Sequence, residues 1–138
     1  MNMDWKECKY TGLIKEVKPD KDLINSLISS SKNTLETCKR INFDEITASP
    51  KIVLAYSSLR ELLEAIAIKK GFKIYNHECF YSFLKEVCKN NSLAIEFNRF
   101  RILRNQISYY GKKVSLEESK DIVNGIFSLI SKIKKEIL

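Results

Sequence analysis

Apolar residues recur at helical spacing through five long stretches of the chain, and short polar breaks separate them. The first stretch, 20–41, opens after Pro19-Asp20 and carries Leu23, Leu27, Ile28, Leu35, Cys38 and Ile41. Its period continues through Ser29-Ser30-Ser31, so the serines read as helix and not as a linker. Ser49-Pro50 is an N-cap followed by a first-turn proline. From there Leu54, Leu59, Leu62, Leu63, Ile66 and Ala67 build the broad stripe of a central helix, with Gly71 as its stop. A shorter helix is expected over 77–90, with Phe80, Phe83, Leu84 and Val87 inward. A fourth spans 93–110 and ends at Gly111. The fifth begins with the capping box Ser115-Leu-Glu-Glu118 and continues through Ile122, Ile126, Leu129, Ile130, Ile133 and Ile137.

No strand-like alternation of any length interrupts this pattern, and no repeat is present. The expected architecture is an all-α up-and-down helical bundle of about five helices. Residues 1–18 read as an N-terminal arm of short or irregular structure, anchored by Trp5, Tyr10, Leu13, Ile14 and Val17. Residues 19–138 form the bundle domain.

Composition narrows the choices. No apolar run reaches the ~18 residues of a membrane span, and the segment Met1-Asn-Met-Asp-Trp-Lys-Glu-Cys8 lacks the apolar core of a signal peptide. The expectation is a cytoplasmic protein with no membrane association. A net charge of +7 suits an acidic partner such as RNA or an acidic protein. Lys132, Lys134 and Lys135, however, sit where cations offset a helix dipole. Cys8, Cys38, Cys79 and Cys88 form no C-x-x-C pair, and the single histidine cannot complete a Cys/His zinc site. Cys38 and Cys88 read as small core residues. No metal and no cofactor are expected.

The chemistry concentrates in 99–114. Arg101, Arg104, Asn105 and Ser108 fall at i, i+3, i+4 and i+7, one face of a helix, beside an apolar stripe of Phe100, Leu103, Ile107 and Tyr110. Guanidiniums present planar forks of donors suited to phosphate or carboxylate. Two readings remain open at this point. The row binds an anion, or it braces the bundle through Glu61 or Glu64, one of which would turn inward to hold Arg104 or Arg101. Arg60 and Glu64 also stand at i, i+4.

Arg104-Asn105 followed by Tyr109-Tyr110-Gly111, near the end of the fourth long helix, resembles the signature of HEPN domains (higher eukaryote and prokaryote nucleotide-binding). The stretch Gly71-Phe-Lys-Ile-Tyr-Asn-His-Glu-Cys79 resembles a loop of small prokaryotic members. With the helix order, the resemblance covers roughly residues 12–138. It implies a helical bundle that dimerises, binds RNA or a nucleotide, and works beside a nucleotidyltransferase-like protein of a toxin–antitoxin-type pair. In that family an Arg-Asn pair begins a motif closed by a histidine four to six residues on. Here the corresponding positions are Tyr109, Tyr110 and Gly111, and the only histidine is His77. Tyrosine, with a pKa of about 10, shuttles protons poorly near neutrality. Any metal-independent ribonuclease activity is therefore expected to be weak.

The expected site has Arg104, Asn105 and Tyr109 at its centre, with Arg101, Ser108, Tyr110 and Glu64 binding substrate. On an ideal helix Arg104 and Tyr109 point about 140° apart, so either the turn before Gly111 unwinds or the two meet across a two-fold axis; the resemblance, which implies a motif at the cleft of a homodimer, favours the second. Phe97, Phe100, Tyr109 and Tyr110 look like surplus aromatics available to such an interface. The alternative is a non-catalytic helical protein–protein interaction module.

Overall fold

The computed structural model describes residues 2–138. Helix α3, Ala48–Lys69, is the axis of the fold. Ile52, Ala55, Tyr56, Leu59, Leu62, Leu63 and Ile66 are each at most 1% exposed, so α3 is buried on most of its circumference. A helix apolar on so many sides needs several neighbours. Helices α2 (Lys21–Arg40), α5 (Asn91–Tyr110) and α6 (Leu116–Glu136) pack around it. These four lie within two residues of the expected bounds.

Helix α2 crosses α3 through small side chains. Ser31 Oγ donates to the Ser58 carbonyl at 2.7 Å, and Ser58 Oγ donates to the Ser31 carbonyl at 2.8 Å. The serine run is therefore helix, and its last hydroxyl replaces bulk at the crossing. Lys51 is buried, and its ammonium donates to the carbonyls of Cys38 and Ile41 while lying 4.2 Å from the Phe43 ring centre. It satisfies carbonyls that the end of α2 leaves open.

Caps follow the sequence with one correction. Asp20, Asn90 and Ser115 accept from the amides of Leu23, Leu93 and Glu118, as expected of N-caps. Ser49 is not the cap of α3. The preceding turn is closed by Asp44, whose carboxylate accepts from the amides of Ile46 and Thr47, and Pro50 lies inside the first turn. Gly111 ends α5 with φ 64°, the left-handed conformation that glycine adopts without strain.

The N-terminal arm is more ordered than its sequence suggested. It forms α1 (Trp5–Tyr10) and β1 (Ile14–Glu16), and β1 pairs antiparallel with β2 (Phe72–Ile74), Ile14 opposite Ile74. Strands of three residues are too short to show a period of two. Trp5 meets Phe72 edge-on at 5.0 Å, and its amide donates to Glu86 at 2.7 Å. Cys8 and Cys79 are joined by a disulfide in the core, a pairing the cysteine spacing did not reveal. Disulfides are uncommon in reducing compartments, so this bond and the expectation of a cytoplasmic protein pull in opposite directions.

Cys79 opens α4 (Cys79–Ser82), which widens into a π-helical turn over Phe83–Val87. This is the expected third helix, shorter than 77–90, with Phe80, Phe83 and Leu84 fully buried and Val87 at its edge. Among the described residues no helix is long and apolar enough to cross a membrane.

Replacing both Cys8 and Cys79 with serine should lower stability by about 2–5 kcal/mol, the usual effect of losing a native disulfide in a small domain. A thermal melt should show a fall of about 10 °C, reproduced in the wild type by a dithiol reductant. Melts that coincide with and without reductant would contradict the covalent tie.

Candidate functional site

Helix α5 reaches α3 and α6 through Phe97 and Phe100. The Phe100 ring sits so close to α6 that a Cβ on Gly125 would stand 2.9 Å from its Cζ. Phe97 stacks on Tyr56 of α3 at 6.1 Å and meets Phe80 of α4 at 6.0 Å. Both phenylalanines are therefore core residues and not surplus at an interface; Tyr109 and Tyr110 remain exposed.

With those rings facing inward, the arginine row turns toward a gap between α5 and the segment that joins β2 to α4. The gap is an open cleft of about 300 Å³. Helix α5 contributes Arg101, Arg104, Asn105 and Tyr109. The facing segment contributes Tyr75, Asn76, His77 and Glu78. That segment is fixed at both ends. The Tyr75 amide donates to the Leu13 carbonyl at 2.8 Å, and Cys79 carries the disulfide. Between them Asn76 Oδ1 accepts from the Glu78 amide at 2.8 Å, which closes a tight turn.

Four of the expected site residues thus meet, and three do not. Ser108 and Tyr110 point into solvent, outside the cleft lining. Glu64 pairs with Arg60 at 2.8 Å along α3. Glu61 accepts from Ser30 and Thr34 of α2. Neither carboxylate braces an arginine of the row. Among the described residues, no carboxylate lies within ion-pair distance of Arg101 or Arg104. Arg101 donates to Asn98 Oδ1 from Nε at 3.1 Å and Nη2 at 3.0 Å, and Nη2 also lies 3.5 Å from Asn2 Oδ1.

Arg104 is held by aromatic rings. Its Cζ is 5.2 Å from the Tyr56 ring centre and 5.4 Å from that of Tyr109. Nη1 donates to Asn105 Oδ1 at 3.0 Å and to Tyr109 Oη at 3.2 Å. Nε is buried with no partner, the one such side-chain atom among the described residues. Arg104 and Tyr109 therefore meet within one chain while α5 stays helical to Tyr110. The expected 140° separation applies to Cα–Cβ directions. A tyrosine leaning back toward the helix N-terminus and a long arginine close that angle. No two-fold axis is needed to bring them together.

His77 and Tyr56 are the residues that sequence reasoning did not place here. Tyr56 Oη lies 3.3 Å from His77 Nδ1. Burial holds the Tyr56 phenol protonated, raising its pKa against the opposing influence of Arg104, Arg101 and Arg60. That phenol has one proton to give, and donating it to Nδ1 leaves the neutral imidazole with its own proton on Nε2. Burial, and then the positive charges of Arg60, Arg104 and Arg101, lower the His77 pKa to about 4. The cleft thus combines two guanidiniums, a neutral imidazole, exposed phenol rings and the Glu78 carboxylate, which pairs with neither arginine. The two guanidiniums have the chemistry to attract an anion, and His77 is a group that can hold or pass a proton. The larger hollow on the surface, about 530 Å³, lies past the end of α5 beside Glu45, Lys112 and Lys113, and the arginine row does not reach it.

The depressed His77 pKa gives stability a pH dependence. The folded state takes up the proton only near pH 4, the unfolded chain near the ordinary 6.5. Between those values the unfolded state binds more protons, so stability falls as pH drops through that window. Denaturation midpoints from pH 7 to pH 4.5 should fall more in the wild type than in His77→Gln; identical slopes would contradict it. Comparison of the chain with family models, curated proteins and solved structures returns no match, so the chemistry of this cleft rests on its own geometry.

Proposed function

We propose that this chain is an RNA- or nucleotide-binding protein of the HEPN-like kind, and that the cleft between α5 and the Tyr75–Glu78 turn seats a phosphate. The observation that carries the reading is a pair of guanidiniums, Arg101 and Arg104, facing a cleft with no carboxylate paired to either. An ion-paired brace would leave the charge neutralised; here both arginines have only neutral acceptors, so their positive charge is uncompensated. A phosphate group there accepts charge-assisted hydrogen bonds from both arginines and from Asn105. A base stacks on an exposed phenol ring.

The proposal extends to slow RNA cleavage without a metal. The 2′-hydroxyl loses its proton to water as its oxygen attacks the neighbouring phosphorus, the bond to the 5′-oxygen breaks, and a 2′,3′-cyclic phosphate and a 5′-hydroxyl are the products. Arg104 and Arg101 offset the charge gathering on the phosphoryl oxygens. His77, from another segment, takes the place of the histidine that 109–111 lack, and passes a proton to the leaving oxygen. A bound phosphate cancels part of the arginine field and raises the His77 pKa toward the working range. At rest His77 is almost wholly unprotonated at neutral pH, which keeps the rate low.

A homodimer and a nucleotidyltransferase-like partner belong to the same proposal, as does a cytoplasmic location. Ile95, Ile102 and Tyr109 lie at i, i+7 and i+14 of α5 and are 55%, 44% and 67% exposed. A second helix could cover that row. The row equally supports the alternative of a non-catalytic interaction module.

Arg104→Ala should weaken binding of a short single-stranded RNA at least about tenfold, the loss of one or two charge-assisted bonds. Wild-type affinity should fall with added salt. With a chelator present, His77→Ala should abolish the residual cleavage while retaining binding. RNA bound equally well by Arg104→Ala would sink the reading. Light scattering at micromolar concentration should give twice the 16.0 kDa chain mass; the mass of one chain would remove the dimer.

A further inference from the structure

We infer that Tyr109 is a built-in occupant of the anion seat on Arg104, and that a nucleotide works by displacing it: a phosphate oxygen takes the place of the phenol oxygen, and the released ring stacks on the base. This rests on the nucleotide-binding reading above and specifies which residue sets the ligand class.

Three observations carry it. The Tyr109 phenol oxygen accepts from Arg104 Nη1 at 3.2 Å, a position from which a guanidinium would otherwise serve a ligand oxygen. The Tyr109 ring centre lies 5.4 Å from Arg104 Cζ and that of Tyr56 5.2 Å, so both rings stand beside the guanidinium, whose Nε is buried without a partner. Burial of an unsatisfied donor is unfavourable, and it marks the closed arrangement as one that a better acceptor can replace.

The two rings differ in burial. Tyr56 is 1% exposed and fixed in the core. Tyr109 is 67% exposed and lies in the last turn of α5, two residues before the left-handed Gly111. Swinging Tyr109 outward breaks one hydrogen bond and opens a position on Nη1, which keeps its bond to Asn105 Oδ1. A neutral phenol oxygen is a weaker acceptor for a guanidinium than a phosphate oxygen. An uncharged ligand therefore lacks the means to open the seat, and a bare anion opens it without using the ring. A nucleoside phosphate does both.

Titration calorimetry with inorganic phosphate and with adenosine 5′-monophosphate separates these roles. Tyr109→Phe keeps the ring but removes the competing oxygen, so it should bind inorganic phosphate several-fold more tightly than the wild type. Tyr109→Ala should also bind phosphate at least as well as the wild type. It should lose several-fold in the ratio of nucleotide affinity to phosphate affinity, a ratio that Tyr109→Phe should preserve. Phosphate binding by Tyr109→Phe that is unchanged or weaker would overturn the inference, as would an unchanged ratio in Tyr109→Ala. Arg104→Ala serves as the separate control. If it loses phosphate binding while Tyr109→Phe matches the wild type, the cleft is a phosphate site and only the role of Tyr109 fails. If Arg104→Ala binds phosphate like the wild type, or the wild type binds neither ligand, the cleft reading and this inference fall together.

Discussion

The fold depends on the burial of α3. A helix of this length with apolar residues around most of its circumference cannot be covered by one partner, so α2, α5 and α6 gather round it and the arm and α4 fill what remains. Helix α5 meets that demand with few residues, chiefly Phe97 and Phe100. Leu93, Ala94, Leu103 and Ile107 add to that packing, and the rest of the helix surface is free of it. The arginine row occupies the face beside those phenylalanines, at the edge of the core, where Tyr56 supplies a buried ring for Arg104 to rest on. Packing thus determines where the charge can stand, and the cleft is the space that α5 and the Tyr75–Glu78 turn leave between them.

The charge in this cleft runs against what stability alone would select. Two neighbouring guanidiniums repel each other, and they add to the burial and the Arg60 charge that hold His77 neutral. A counter-ion was within reach of the sequence, since Glu61 and Glu64 lie on the adjacent helix. Both are engaged elsewhere, Glu61 with the hydroxyls of α2 and Glu64 with Arg60. Tyrosine rings and neutral oxygens take their place, and they hold the cation without neutralising it. Glu78 also lines the cleft but pairs with neither arginine, so under the proposed reading no ion pair has to break before an anion enters.

The helices were legible because long amphipathic segments carry their own period, and Asp20, Ser115 and Gly111 mark their ends at the level of single residues. Half of the cleft was legible for the same reason: Arg101, Arg104 and Asn105 share a helix face. The other half was not. His77 belongs to a turn whose place is set by the β1–β2 pairing and the Cys8–Cys79 bond, contacts between residues far apart in the chain. Tyr56 differs from its apolar neighbours by one hydroxyl, a signal too small to separate from packing. Side-chain length defeated the angular argument about Tyr109, because a helical wheel projects directions and not reach.

The Cys8–Cys79 bond also divides the molecule topologically. It closes a covalent ring across a sequence separation of 71 residues, and that ring contains α2, α3 and both strands. Helices α5 and α6 hang outside it as a tail. The cleft straddles the division, with His77 and Tyr56 inside the ring and Arg101, Arg104 and Tyr109 on the tail. Peeling the tail away would dismantle the cleft without opening the ring. In this chain the integrity of the site measures the docking of the C-terminal helix pair on a body that is tied together independently of it.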